Sequence, residues 1–395
     1  MEKNMAKYNS LKFKILKFVS LLIFIFLLVE IASFLVGDFL ERRFVIFYKA
    51  KIDYAKLSDN YSRYMSERHD LLGWPFKSWQ SEMRDKTGSR IVPAFSDPGE
   101  HEPCVSLYGD SFTWGSGVDN EDTWGNILSE KLGCRVSNYG QPAYGTDQAY
   151  LRYELNVGDK APIVILGHLS DDILRNISQS YDFILSPPAS GFRYKPRFIL
   201  EEGSIKLIPI PDFSEEDYEK AILYPEQHLP YEYFVPGGRS NISRLTFPYS
   251  WSILKALFQN KPLRSILLGK PYAAEFYEER HDSDALEITT QIAESFNDLA
   301  KYQGKIPIVI IFPDLDDISY YKKNGMWIFQ NLIDRLNSKN IVVFNVGDGL
   351  LEYDRKAHIE ELFLTEPTAR GHYNERGNRV VADIIYNYLK SKRLL

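Results

Sequence analysis

Two runs of this 395-residue chain, PIVILGHL at residues 162–169 and IPIVIIF at residues 306–312, carry no polar alternation. A strand that is apolar on both faces must be covered on both faces, which is the condition of a parallel sheet held between two layers of helices. Three shorter strand-like runs lie at residues 104–108, 134–139 and 341–346. Helical spacing falls between them. Residues 122–132 place Trp124, Ile127, Leu128 and Leu132 on one face, and residues 147–155, 283–302, 327–336 and 374–392 also read as helices. Strands alternating with helices predict an α/β fold, a three-layer doubly wound sheet of about five parallel strands in the flavodoxin-like order 2-1-3-4-5.

The third and fourth strands are separated by a long insertion, about residues 175–282. It holds a hairpin-like piece at 198–210 that turns at Glu202-Gly203, followed by proline- and tyrosine-rich sequence. No internal repeat is visible, so this is an insertion or lid rather than a duplicated unit.

The N-terminus is of a different kind. Residues 1–17 hold five lysines against one acid, Glu2, in a chain of formal net charge −6. Residues 18–37 then read FVSLLIFIFLLVEIASFLVG, with Glu30 the only charge. As a helix these would span roughly 30 Å, the thickness of a bilayer core. Lysines ahead of the run predict a cytoplasmic N-terminus and an exported remainder. The alternative is a cleaved signal peptide. The run exceeds a signal-peptide core of about 7–15 residues and no Ala-x-Ala site follows, which favours a retained single-pass anchor. Glu30 then lies near the outer interface or meets a partner inside the membrane. Residues 38–100 read as a stalk and wrapping arm, with an amphipathic stretch at 40–64 and the loop-like HDLLGWPFKSW from His69. The domain proper is expected over residues 101–395.

The mild acidity argues against a nucleic-acid partner. Two cysteines exclude a cysteine-rich zinc module, and the histidines lack metal-ligand spacing, so neither metal nor cofactor is expected. Cys104 and Cys134 sit at the amino ends of strands expected to be neighbours, in an exported chain. A disulfide between them is the expectation, and two unpaired core residues the alternative.

In a parallel α/β sheet, ligands bind beyond the carboxyl ends of the strands. Four segments converge there: Gly109-Asp110-Ser111, the loop from Asn138 to Thr146, Gly167 to Asn176, and Gly371-His372-Tyr373-Asn374 before the last helix. A serine at a strand-to-helix turn exposes its hydroxyl, and the helix amides point at a developing oxyanion. Alone, Gly-Asp-Ser is an ordinary helix cap.

Together these segments resemble the SGNH, or GDSL-type, hydrolase superfamily over roughly residues 100–395. LYGDSFTWGSGV resembles its first block, NYGQPAYGTDQ its second and GHYNERGNRVVAD its last; HDLLGWPFKSW is similar to a Gly-Trp segment of exported members. The resemblance implies Ser111 as nucleophile and His372 as base. It also implies oxyanion contacts from the Gly140, Ala143 and Gly145 loop. Two departures stand out. LSDDILRN has Asp171 or Asp172 where the family has an oxyanion-binding asparagine, and Ala369 and Arg370 occupy the usual aspartate positions before the histidine. The nearest acid is Glu366. The histidine is then oriented by Glu366, by a backbone carbonyl or by a distant acid. His168 reads as structural or substrate-facing. The Asp314-Leu315-Asp316-Asp317 sequence reads as helix-capping acids, with a cation site as the alternative.

The implied function is a membrane-anchored extracytoplasmic serine acyl-ester hydrolase or O-acyltransferase acting on acetyl groups of an envelope glycan. One alternative is an SGNH-fold glycan-binding or assembly subunit without catalysis. Another is a subunit whose anchor docks a membrane acyl-donor protein.

Overall fold

The computed structural model describes residues 2–43, 46–50, 52–53, 55–75, 82–184, 193–355, 357–366 and 369–394. Seven strands occur among them: β1 Pro103–Tyr108, β2 Arg135–Asn138, β3 Ile163–Leu169, β4 Arg197–Glu201, β5 Ser204–Ile208, β6 Ile306–Phe312 and β7 Val343–Asn345. Five form one parallel sheet in the order β2-β1-β3-β6-β7. Counting only those five, this is the order 2-1-3-4-5. The register sets Ser106 beside Ser137 and Val164, and Gly167 beside Ile310. The carboxyl ends of β1, β2 and β3 therefore share one rim, and all seven residues of β3 are buried.

Helices cover both faces. Ala285–Tyr302 and Thr146–Leu155 pack together on one side; Trp124–Leu132, Val346–Asp354 and Glu375–Ser391 lie on the other. The arm and the insertion belong to the same core. Tyr64, Leu72 and Trp74 from the arm, and Tyr194, Phe198, Tyr218 and Phe234 from the insertion, pack into the cluster that holds Val105, Ile165 and Ile310. The insertion contains the antiparallel pair β4-β5. Its turn places Glu202 and Gly203 both at positive φ, the two-residue geometry that matches strand twist.

Three local differences have physical reasons. The amphipathic stretch 40–64 is two pieces, because the N-terminal helix runs on from Glu2 to Arg43 and a separate helix occupies Leu57–Glu67. The helix expected from residue 327 begins at Gln330, since Trp327 stacks on Phe329 and its indole binds Asp348. Asp314 opens a helix whose span the sequence did not give, Leu315–Asn324, through a reciprocal cap with Asp317. Those acids are thus spent on capping, and among the described residues no group of three ligands stands ready for a metal.

Cys104 and Cys134 are bonded, with Cα atoms 6.0 Å apart. The bond closes a loop of 30 residues that carries the β1-to-helix turn. Chain-entropy arithmetic for a loop of that size gives about 3–4 kcal/mol. Cys104→Ser/Cys134→Ser should lower the urea unfolding free energy by that amount, and an unchanged midpoint would show that the bond constrains nothing.

Candidate active site

The turn after β1 is built around Asp110. Its fully buried carboxylate caps the short helix Ser111–Trp114 by accepting from the amides of Phe112 at 2.9 Å and Thr113 at 3.4 Å. This holds Ser111 at the first helical position, facing the rim. The turn is tight enough to dictate its neighbour: a Cβ on Gly109 would lie 2.0 Å from Thr113 Oγ1 and 2.9 Å from the Gly167 carbonyl.

His372 arrives from the loop before the last helix. Its Nε2 lies 2.9 Å from Ser111 Oγ and its Nδ1 lies 3.0 Å from the Ala369 carbonyl oxygen. A carbonyl can only accept, so Nδ1 carries the ring proton and Nε2 presents its lone pair to the serine hydroxyl. The Phe112 ring packs against the imidazole, centroids 5.1 Å apart. Ser111 Oγ is also 3.3 Å from Asp110 Oδ2. Glu366 is exposed, and among the described residues no hydrogen bond or ion pair joins its carboxylate to His372. The place at Nδ1 is held by main chain, one of the three options the sequence left open.

The loop after β2 is fastened to this turn. Asn138 donates to the Thr113 carbonyl at 2.7 Å and accepts from the Gly140 amide at 2.9 Å. The Gly145 amide is directed to Gln148 at 3.3 Å. Gly140 and Gly145 therefore spend their amides inside the loop. Ala143 does not: among the described residues neither its amide nor that of Ser111 has an acceptor. Ala143 is held at φ 72°, where a side chain is disfavoured, so the surrounding structure imposes this conformation.

The loop after β3 divides the two aspartates. Asp172 turns inward, accepting from the Leu169 amide at 3.1 Å and from Arg175 at 2.7 Å. Asp171 stays at the rim, and among the described residues its carboxyl makes no hydrogen bond. Burial pushes Asp171 above the ordinary carboxylate range; Arg175 pulls it down, and Asp316 and Asp110 add to the rise. Arg175 is the rivet of the site. One of its nitrogens reaches Asp172, the Tyr144 carbonyl at 2.8 Å and Asp110 at 3.3 Å, tying all three loops together. Asn176 is buried in structural bonds to the Asp147 amide and Thr289, away from this role. His168 is structural in its contacts: Thr146 Oγ1 lies 2.6 Å from Nδ1 and Tyr277 Oη 2.8 Å from Nε2, and burial lowers its pKa to about 3.

The wrapping arm supports the loops from outside. Trp74 donates to the Pro142 carbonyl at 3.2 Å and accepts, through its own carbonyl, from Tyr144 at 2.6 Å. Buried Arg90 donates to the carbonyls of Trp114, Gly115 and Val118 at 2.7–2.8 Å, closing the end of the turn that carries Ser111. The sequence offered the Gly-Trp segment only as a resemblance, and neither its contact with this loop nor the role of Arg90 carried a sequence signal. A cavity of about 520 Å³ lies elsewhere, walled by Ile46, Pro262, Ile266, Tyr272 and Tyr320 among others; neither Ser111 nor His372 lines it.

Serine and histidine thus meet across the rim of a 2-1-3-4-5 sheet, with an unspent amide at Ser111 and another on the neighbouring loop. That is the arrangement the resemblance to SGNH hydrolases implies. The solved structures that the chain is similar to include a member of the lipolytic protein G-D-S-L family from Veillonella parvula at 14% identity, covering 72% of this chain and 97% of that one with a TM-score of 0.32. They also include the acetyl xylan esterase AlAXEase at 12% identity, 72% and 98% coverage and a TM-score of 0.36. A third is the psychrotrophic esterase EstA from Pseudoalteromonas sp., at 10% identity, 74% and 98% coverage and a TM-score of 0.33. No protein-family model matches the chain, and no curated protein matches it.

Proposed function

We propose that the chain is a serine acyl-ester hydrolase or O-acyltransferase of SGNH type, anchored in the membrane with its catalytic domain outside. The observation that carries this reading is the 2.9 Å approach of His372 Nε2 to Ser111 Oγ, with Nδ1 committed to a carbonyl. In that tautomer His372 takes the serine proton as Oγ attacks an ester carbonyl, then returns it to the leaving alcohol. The amides of Ser111 and Ala143 receive the oxyanion. Burial raises the Asp171 carboxyl at this rim, which favours its neutral form over the ionised form that would repel the oxyanion. The acyl group then passes from Ser111 to water or to an acceptor alcohol. An acetylated envelope glycan is the proposed substrate, with a membrane acyl-donor protein as the proposed partner for transfer. The disulfide and the lysine-flanked apolar helix support an oxidising, extracytoplasmic location.

The experiment is direct. Full-length protein incubated with an acetylated polysaccharide should release acetate, or move acetyl to an added glycan acceptor, in proportion to enzyme. Neither product from folded protein, with acetylated glycan retained on it, would favour the binding-subunit reading instead.

A further inference from the structure

The insertion sends one segment back along the N-terminal helix. It begins where the Tyr48 amide donates to the Ser243 carbonyl at 2.9 Å. Leu245 then packs on Gly37 so closely that a Cβ there would lie 2.6 Å from its side chain. Phe247 reaches the Phe26 ring, centroids 6.2 Å apart. Helix Tyr249–Gln259 returns, with Tyr249 against Phe34 at 5.1 Å. At its end Asn260 donates to the Ile46 carbonyl at 3.0 Å, and Ala256 and Leu263 join the cluster of Ile46 and Phe47. The chain descends, turns at Phe247-Pro248 and climbs again. Phe26 lies eleven residues before Gly37, so the tip lies about 16 Å below the outer end of the apolar run, near the middle of a bilayer core about 30 Å thick.

The amides at the start of helix Tyr249–Gln259 are accounted for. A helix start leaves four amides without intrahelical partners, and in hydrocarbon no water can serve them. Here Glu30, only 4% exposed, accepts from the Tyr249 and Ser250 amides and from the Ser250 hydroxyl. The Pro248 carbonyl accepts from Trp251 and Ser252, and the Ser252 hydroxyl bonds both the amide and the carbonyl of Thr246. The one charge in the apolar run is thus the cap of a second helix, placed at its positive end. The outward face of the hairpin is apolar: Phe247 before the helix and Trp251 on it are each 63% exposed, Phe258 73%, with Leu254 and Leu257 beside them. This face continues the exposed apolar surface of the N-terminal helix. Lys255, two turns above the cap, stands level with the end of the run, where its amine reaches the headgroups.

We propose that residues 243–259 form a re-entrant hairpin inserted in the outer half of the bilayer and clamped to the anchor by Glu30, with lipid against Phe247, Trp251 and Phe258. The proposal rests on the anchor reading above. It also gives the helix a reason to be retained, since cleavage after residue 37 would remove the cap.

The test places a photo-reactive p-benzoylphenylalanine, one position at a time, in the full chain in vesicles of phosphatidylethanolamine and phosphatidylglycerol. The positions are Leu22 in the anchor, Trp251 and Phe258 in the hairpin, and Tyr302 on the sheet domain. Lipid adducts from 251 should come within about threefold of those from 22, as for positions in one hydrocarbon layer, and those from 258, one turn above Lys255 at the interface, should still exceed those from 302 by about tenfold. Glu30→Leu should cut the yield at 251 while leaving that at 22. Lipid labelling from 22 but from neither 251 nor 258 overturns the hairpin and leaves the anchor standing. No lipid labelling from 22 overturns the anchor reading itself. Cross-links from 251 or 258 to protein instead of lipid overturn the proposal in favour of a protein partner on this face.

Discussion

Ser111→Ala will abolish ester hydrolysis, lowering kcat/KM on a small acetyl ester by about 10⁴-fold or more, the scale at which serine hydrolases lose activity when the nucleophile is removed. His372→Ala should cost about as much, because the pair acts as one unit and its effects are not additive. The contrast is Glu366→Gln. The Ala369 carbonyl already holds Nδ1 at 3.0 Å, so removing this charge should change the rate by about threefold at most, against about 10⁴ for loss of an orienting carboxylate in a triad. Initial rates of the three variants decide this, beside thermal melts. Ser111→Ala loses one hydrogen bond to His372, so its stability should stay within about 1.5 kcal/mol of the parent. A large loss in Glu366→Gln with an intact melt would restore an acid to the site.

The second large effect lies under the rim. Lys195 and Asp147 are both fully buried and paired, and the ammonium also donates to the carbonyls of Arg175 at 3.0 Å and Pro196 at 2.9 Å. This links the insertion to the helix after β2 and to the loop that carries Arg175. Burial raises the Asp147 carboxyl while Lys195 holds it down. Lys195→Met leaves a buried carboxylate without its counter-charge and should destabilise the fold by about 3–5 kcal/mol near neutral pH. The sign with pH follows. Without Lys195 the folded pKa of Asp147 rises further above its unfolded value, so the folded state binds the extra proton and stability falls as pH rises. The deficit should therefore shrink between pH 7.5 and pH 5. Lys195→Met/Asp147→Asn should recover part of it. Urea midpoints at the two pH values measure this, and a deficit independent of pH would mean the loss is one of packing alone.

How much was legible in the sequence depends on which atoms carry the signal. β3 and β6 were legible because a strand apolar on both faces has only one home. That Ser111 and His372 meet at the rim was legible because both are side chains whose places in the chain fit the sheet order. The Ala369 carbonyl was not, since main chain has no letter of its own. The Gly140, Ala143 and Gly145 loop was legible as a group, but only backbone geometry separates Ala143, with its unspent amide, from two glycines whose amides are internally bonded. Arg90 and Arg175 look like any other basic residues until the loops they bridge are in place. The helix Tyr249–Gln259 spans eleven residues, so its length alone gives no hint of the membrane insertion proposed for it. Glu30 was visible as an anomaly in the apolar run, and its partner lay 219 residues away.

The most direct test of the central claim is labelling by a fluorophosphonate, which reacts only with a serine whose hydroxyl is activated by a base. Full-length protein in lipid vesicles should take up one equivalent, and peptide mapping should place the adduct on Ser111. His372→Ala, equally folded, should label far more slowly. Folded protein that takes up no probe, or takes it up on another serine while Ser111 stays unmodified, would contradict the account.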